Sequence, residues 1–478
     1  MAAKSYNILY LMTDQWRWDT LFQPGHICQT PNLDRLAERS TVFNRAYTPC
    51  PLCTPARGSI FTGLWQFQNR LMDNNGPYWP HMQLARRFRT YLERLQENGA
   101  FNVTYSGKWH CGNGNLNERG IRDVRQSDGG TCPEDERYRY PNVKLLPGHF
   151  KPYYGAYDEG VHIDERRVNA GLDQLEQLIA GDRPFCSVIS LSAPHFPHFV
   201  PRAFRDMYEL PDDFMPDNFC EPFSEKNKPF IQQLINFPAQ DTTVLTPEDW
   251  REMCRHYWAF CTWADAQIGR VLDFCDRHHL WENTVIAFSP DHGEMLGAHG
   301  KFDKGPDVYE ETTHVPLIIF DPATRSPRNP DSFVSLRDLF PTLISLAGAD
   351  HILSEDECRR SYWHTDHDHV FMTYDLYHGR EFPLRAIRTS RYKYVWIPND
   401  KCELYDLEHD PGERNNLIDD PQYTDLIHQL DTKLKTWMEK EGDHLSHRQW
   451  FLDPGAYIDG RGSGEMHPWP QGCFPKRG

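Results

Sequence analysis

Long apolar runs are missing from this chain, and so is any surplus of positive charge. Of its 478 residues 39% are hydrophobic and 25% are charged, a mixture too polar for a protein that crosses a membrane many times. The N-terminus lacks a basic segment, a long apolar core and a small-residue cleavage site; Met-Ala-Ala-Lys-Ser leads straight into Tyr6 to Met12, which reads as a buried strand. The expected location is therefore cytoplasmic, or periplasmic if a leader has been removed. Fifty-one Lys and Arg against 68 Asp and Glu give a net charge of -17, which disfavours attraction to nucleic acid or to anionic lipid. Neither nucleic acid nor a membrane is expected as a partner, while a small anionic substrate stays open because a local basic pocket can sit in an acidic chain. The thirteen cysteines are odd in number, scattered singly and without a pair of CxxC units, which argues against a disulfide framework or a zinc ribbon.

What the chain does have is aromatic and patterned. Fourteen Trp, 22 Tyr and 27 Phe exclude a disordered polymer. At roughly 150 residues per domain the length allows two or three domains, or one large α/β domain with an appendage. Short apolar runs at Tyr6 to Met12, Phe101 to Tyr105, Phe185 to Leu191, Thr284 to Ser289 and Val315 to Phe320 read as strands. Between them lie helical patterns. Pro31 to Ala37 places Leu33, Leu36 and Ala37 on one face, and Thr246-Pro247-Glu248-Asp249 combines an N-cap, a first-turn proline and a capping-box acid before a long amphipathic helix. Strands alternating with helices imply a mostly parallel sheet covered on both faces, here assigned to residues 1–355. Beyond it, Val370 to Tyr374, Leu384 to Arg388 and Tyr392 to Ile397 read as closely spaced antiparallel strands before an amphipathic helix at Leu426 to Met438. That is a smaller α+β domain, 356–440, followed by an aromatic and proline-rich tail, 441–478, expected to pack on the surface.

In an open parallel sheet ligands bind at the carboxyl ends of strands, so the polar residues that end each apolar run are the ones to inspect. The first run ends in Thr13-Asp14-Gln15, the second in Ser106-Gly107-Lys108-Trp109-His110, the third in Ser192-Ala193-Pro194-His195, and the fourth in Pro290-Asp291-His292-Gly293-Glu294. If those strands are neighbours, Asp14, Asp291 and His292 converge on a hard cation, with Lys108, His110 and His195 at the same mouth. Cys53-Thr54-Pro55-Ala56-Arg57 adds a cysteine at a helix start, where free amides and the dipole favour negative charge, with Arg57 one turn on. Cys53 is then either a small buried hydrophobe or an activated thiolate. Neither explains the hard-metal carboxylates around it, since thiolates prefer softer ions.

Cys-x-Pro-x-Arg followed by Thr62-Gly63 resembles the signature of the formylglycine-dependent (type I) sulfatases of the alkaline phosphatase superfamily. The likeness continues in family order through Asn7 to Asp14, Thr30 to Ala37, Gly107 to His110, Ala193-Pro194-His195, Asp291 to Gly300, Lys304-Gly305, Val315 to Ile318 and Leu404 to Leu417. It implies an alkaline-phosphatase-like α/β fold, with a mixed, mostly parallel sheet flanked by helices, and hydrolysis of a sulfate monoester. It further implies oxidation of Cys53 to 3-oxoalanine (formylglycine) by a formylglycine-generating maturation enzyme, with the hydrated aldehyde as nucleophile. Asp14, Gln15, Asp291, His292 and an oxygen of residue 53 are implied to hold one divalent metal, Ca²⁺ by preference. Many sulfatases carry Asp where this chain has Gln15 and Asn where it has His292, which makes Mn²⁺ an alternative and points also toward bacterial phosphonate monoester and phosphodiester hydrolases.

The roles carried over are Arg57 favouring deprotonation at residue 53, Lys108 and Lys304 holding the sulfuryl oxygens, His195 with Lys304 protonating the leaving oxygen, and His110 removing the proton that lets sulfate depart. Glu294 and His299 read as structural. The substrate is expected to be a sulfated saccharide. Asn74, Asn75 and Trp79, just after the nucleophile helix, are candidates to bind it, against the plainer reading of an Asn-Gly turn. The tail, with Arg448, Trp450, His467 and Trp469, is expected to close over the mouth or over the partner of a homo-oligomer. A phosphonate monoester or phosphodiester hydrolase and a catalytically silent binding protein on the same fold are the competing readings.

Overall fold

Asn7–Asp14 is buried at all eight positions, and a strand with no polar face has to sit between two layers. The computed structural model, which describes residues 5–446 except 22–26, 75–81, 100, 113, 129–153, 221–224, 226, 234–241, 326–328 and 399, puts it in the middle of the main sheet. In chain order the described strands are β1 (Asn7–Asp14), β2 (Thr41–Val42), β3 (Ala46–Tyr47), β4 (Asn102–Gly107), β5 (Asp123–Gln126), β6 (Tyr154–Tyr157), β7 (Phe185–Pro194) and β8 (His198–Pro201). They continue as β9 (Thr284–Pro290), β10 (Ile318–Phe320), β11 (Val334–Ser335), β12 (His369–Tyr377), β13 (Arg380–Thr389), β14 (Tyr392–Trp396) and β15 (Glu403–Asp406).

The main sheet has the order β2-β10-β9-β1-β7-β4-β5. Strands β9, β1, β7, β4 and β5 run parallel, so their carboxyl ends share one edge, while β10 enters antiparallel. Side chains alternate between two cores. Ile8, Tyr10 and Met12 pack with Phe61, Tyr91 and Phe340 on one face; Leu9 and Leu11 pack with Tyr257, Phe260, Ala264 and Ile268 on the other. The second face is covered by the 31-residue helix Pro247–Arg277, whose start is capped reciprocally by Thr246 and Asp249 at 3.2 and 2.9 Å. Caps of this kind stabilise a helix end by about 1 kcal/mol.

The expected strand at Val315 to Phe320 is shorter in the structure, because Pro316 has no amide to give the ladder; only Ile318–Phe320 pairs. The C-terminal sheet runs β12-β13-β14-β15, all antiparallel. Its Ile387, Tyr394 and Leu404 pack on Leu430, Leu434 and Trp437 of the helix Thr424–Glu441. The opposite face buries Met372, Tyr374 and Ala386 against Tyr47, Cys50 and Leu52, the residues that lead into Cys53. The smaller sheet is thereby built into the floor beneath the segment that leads into Cys53. The tail from residue 447 on lies outside the described residues. Among those described, no helix is long and apolar enough to cross a membrane.

Candidate active site

The register aligns the strand ends. Asp14 stands level with Pro194 of β7, and Thr13 with Pro290 of β9, so His195 and Asp291 follow directly beside Asp14. Lys108 follows Gly107, whose φ of +100° and position 1.9 Å (as a built Cβ) from the Ser190 carbonyl admit only glycine. Cys53 begins the helix Cys53–Thr62, every residue of which is buried. Leu52 provides no side-chain cap, and Asn74 supplies one from a distance: its Oδ1 accepts from the Thr54 amide at 2.9 Å. Asn74 is in this way already engaged in fixing the helix start, while Asn75 and Trp79 lie outside the described residues.

Arg57 reaches across the site with no exposed surface. Its Nε donates to Asp291 Oδ2 at 2.7 Å, one terminal nitrogen to Asp14 Oδ2 at 3.0 Å, and the other to the Lys108 carbonyl at 2.8 Å and Ser190 Oγ at 3.0 Å. Lys108 Nζ pairs with Asp14 Oδ2 at 2.7 Å. Burial alone raises the Asp14 pKa, but Lys108 and Arg57 outweigh it and hold the carboxyl well below its usual range.

Asp14, Cys53, Asp291 and His292 each offer one ligand atom, all within 4.8 Å of one another and all buried. Cys53 Sγ lies 3.1 Å from His292 Nε2 and 3.7 Å from Asp14 Oδ1. His292 Nδ1 meets the Gly293 carbonyl at 2.8 Å and has to donate to it, so the neutral ring turns the lone pair of Nε2 toward the carboxylates. Burial lowers the pKa of that ring, yet Asp291 and Cys53 drive it up to about 9, a measure of how strongly the spot calls for positive charge. Two carboxylates, an imidazole in the ligating tautomer and an unmet demand for positive charge fit a divalent cation.

Gln15, in a left-handed turn (φ 67°), stands beside this cluster with its amide committed elsewhere. Its Oε1 accepts from Lys304 Nζ at 2.7 Å, and its Nε2 donates to Asp303 Oδ1 at 2.8 Å and to Glu294 Oε2. Lys304 Nζ also meets Asp303 Oδ1 at 2.9 Å and His195 Nε2 at 3.0 Å. Burial opposes the Lys304 ammonium, but Asp303 and Asp14 more than offset it and hold its pKa well above the ordinary value. His195 Nδ1 lies 2.6 Å from the Phe196 carbonyl and donates to it, which leaves Nε2 to accept from Lys304. Burial first, then Lys304 and Lys108, keep the His195 pKa well below its usual value. His110 (φ 50°) is held by its amide on Asp128 Oδ1 at 2.9 Å, and its Nδ1 is buried with no hydrogen-bond partner among the described residues. Burial, Lys108 and Arg57 push its pKa well down, so both histidines are neutral at pH 7.

Sequence reasoning brought Asp14, Arg57, Lys108, His195, Asp291, His292 and Lys304 to one mouth. It missed Ser190 and Asp303. Ser190 sits inside an unbroken buried strand and carries no local signal, whereas Asp303 is marked only by its place before Lys304.

A sulfatase family model matches residues 6–349, well over half the chain. The chain belongs to the sulfatase family. A second model, of the N-sulphoglucosamine sulphohydrolase C-terminal region, matches residues 297–440. The chain is similar to "Uncharacterized sulfatase YidJ" of Escherichia coli (strain K12), 30% identical, with 98% of this chain and 94% of that protein aligned. Its fold is alkaline-phosphatase-like. It resembles the phosphonate monoester hydrolase of Agrobacterium radiobacter at a TM-score of 0.71, with 22% identity over 91% of this chain and 96% of that one. It also resembles a protein solved in complex with its substrate D-glucosamine-2-N,6-O-disulfate, at a TM-score of 0.68, 20% identity, and coverage of 92% and 99%. The sulfatase is an enzyme of the sulfuric ester hydrolase class.

Proposed function

We propose that this sulfatase hydrolyses a sulfate monoester of a carbohydrate, with residue 53 as formylglycine and one divalent metal, Ca²⁺ or in its place Mn²⁺. The observation that carries the reading is the position of the residue 53 side chain, 3.1 Å from His292 and 3.7 Å from Asp14, at the start of a helix whose Arg57 bridges both carboxylates. A thiol among hard ligands is chemically mismatched, and an oxygen nucleophile there is not. Asp14, Asp291, His292 and residue 53 would hold the cation, with Gln15 beside them and its amide kept on Lys304; when bound the cation supplies Lewis-acid polarisation, and the hydrated aldehyde supplies the attacking hydroxyl.

The remaining work falls to this chain's own residues. Arg57 pairs with the carboxylates of Asp14 and Asp291 and stabilises negative charge developing at position 53. Lys108 and Lys304 place two ammonium groups where the sulfuryl oxygens bind. The proton for the leaving oxygen sits on Lys304 Nζ, because His195 Nε2 is an acceptor in its hydrogen-bonded tautomer, and His195 orients that ammonium. His110, neutral and with an open Nδ1, is the base that lets sulfate depart. Conversion of Cys53 needs a formylglycine-generating enzyme as partner. A sugar substrate accords with the glucosamine disulfate bound by the structural relative.

Phosphonate monoester or phosphodiester hydrolysis is the second reading, favoured by the Gln15 and His292 pair. Side-by-side kcat/KM on an aryl sulfate, an aryl phosphonate monoester and a phosphodiester tests the order, followed by a panel of defined sulfated saccharides. Sulfate is expected to lead; a higher value on either phosphorus ester overturns the assignment. Peptide mass spectrometry is expected to find 3-oxoalanine at position 53, and unmodified cysteine in fully active enzyme would refute the nucleophile.

A further inference from the structure

Glu294 is buried without exposed surface and hydrogen-bonds neither residue 53 nor Lys304, yet it holds two of the three groups that the Lys304 ammonium meets, Gln15 and Asp303, the third being His195. Its Oε1 accepts from the amides of Leu296 at 2.9 Å and Asp303 at 2.6 Å, and its Oε2 accepts from Gln15 Nε2. The loop between them is an improbable one. Leu296, Gly297, His299, Gly300 and Asp303 all have positive φ, three of them at non-glycine residues. The loop ties itself through backbone bonds of Met295 to Asp303 at 2.8 Å, Gly297 to Lys301 at 2.7 Å, Ala298 to Met295 at 2.9 Å, Gly300 to Gly297 at 3.0 Å and Lys301 to Ala298 at 2.9 Å, and the Glu294 carboxylate adds the bonds to the Leu296 and Asp303 amides that these leave unmade. Glu294 in turn is fixed by main-chain pairing, its amide donating to the Glu311 carbonyl at 3.0 Å beside Gly293, where a Cβ would lie 1.9 Å from that same carbonyl oxygen.

The geometry points to Glu294 as a positioning residue for Lys304: it orients the Gln15 amide and anchors Asp303, and through these two acceptors it aims the ammonium at the leaving oxygen. The donor pattern makes this specific. Gln15 presents Oε1 to Lys304 only because Glu294 and Asp303 both demand its Nε2 hydrogens. An amide at position 294 would still accept from Leu296 and Asp303 through its oxygen, but its nitrogen would face the Gln15 nitrogen, donor against donor. Relief requires Gln15 to flip, which turns its NH₂ onto Lys304 and removes that acceptor.

This inference rests on the assignment of Lys304 to the leaving group, and the experiment separates the two. Glu294→Gln, Lys304→Ala and the double variant are compared with wild type on an alkyl sugar sulfate and on 4-nitrophenyl sulfate, with bound metal and formylglycine content measured for each. Expected for E294Q is a kcat loss of about 30- to 100-fold on the alkyl ester and under about 5-fold on the activated aryl ester, with KM nearly unchanged. The double variant is expected to match K304A rather than multiply the two losses. Multiplied losses, an equal loss on both esters, or metal depleted in step with activity would each overturn the positioning role. If K304A itself spares the alkyl ester, the assignment of Lys304 fails and the proposal with it; turnover by wild type of neither sulfate refutes the sulfatase reading instead. Should E294Q prove insoluble, Glu294→Asp, which keeps the charge but retracts the carboxylate from Gln15, carries the same cycle.

Discussion

Replacing Arg57 by methionine isolates the electrostatics of the site from its catalysis, because the effect can be read as stability in protein whose Cys53 is unmodified. In wild type Arg57 makes four hydrogen bonds, two of them to the carboxylates of Asp14 and Asp291. Methionine fills much of the same volume without charge. Asp14 keeps Lys108 at 2.7 Å, but Asp291 is left with the amides of Gln15 at 3.2 Å and His292 at 2.9 Å and with the His292 ring. Stranding a fully buried carboxylate in this way costs about 3–5 kcal/mol, a large share of a domain's total of about 5–15 kcal/mol. A bound divalent cation would neutralise the same carboxylates, so a saturating amount of Ca²⁺ is expected to recover at least about 2 kcal/mol more in R57M than in wild type. Urea unfolding in EDTA and in Ca²⁺ measures both quantities. A loss within about 1 kcal/mol of zero in EDTA, or a Ca²⁺ increment equal to that of wild type, would refute the view that Arg57 and the cation balance one pair of acids.

His195→Ala is expected to slow alkyl sulfates far more than activated aryl sulfates, whereas His110→Ala should slow both and give a burst of alcohol release before a slow steady state; stopped-flow assays with both variants decide the division of roles. His198 is fully buried with neither ring nitrogen partnered among the described residues, and burial pulls its pKa down to about 3. A folded pKa below the unfolded value of about 6.5 means stability is lost as pH falls through that value, by about 2 kcal/mol at pH 5. His198→Phe, packed between Tyr257 and Phe302, should remove that component from the pH dependence of urea unfolding. Asn74→Ala, which uncaps the Thr54 amide, is expected to cost about 1 kcal/mol and to lower kcat, measured by unfolding and steady-state kinetics.

The central strands β1, β4, β7 and β9 were legible because they are buried almost throughout, so each shows as an apolar run that ends in polar residues, whereas the partly exposed edge strands β2 and β5 carry no such run and were not. The rule that ligands gather at the carboxyl ends of parallel strands then turned four separate segments into one mouth. Strand β15 was not legible, since four residues bracketed by Glu403 and Asp406 show no alternation that separates them from a turn. The helix Cys53–Thr62 has no amphipathic stripe at all, being buried on every side, and only Pro55 betrayed its start. The face of the C-terminal sheet that carries Met372 and Tyr374 packs on Cys50 and Leu52, just before that helix, yet lies more than three hundred residues away in sequence and leaves no trace near Cys53.

Residue identities told which groups were present at the site; they did not tell which way each one faces. Gln15 is the clearest case. As a sequence position it is a ligand with one carboxylate fewer than its usual counterpart, and the natural reading is a softer metal site. In the structure the same residue joins a cation to two acids, accepting from Lys304 while donating to Glu294 and Asp303. An ionised aspartate accepts only, and facing Glu294 and Asp303 it would set three carboxylates against one lysine. An amide alone reconciles them, because it carries a donor and an acceptor on one rigid plane. The glutamine therefore changes two things at once, the charge offered to the cation and the register of the hydrogen bonds that aim Lys304, and the second is as much a part of its chemistry as the first.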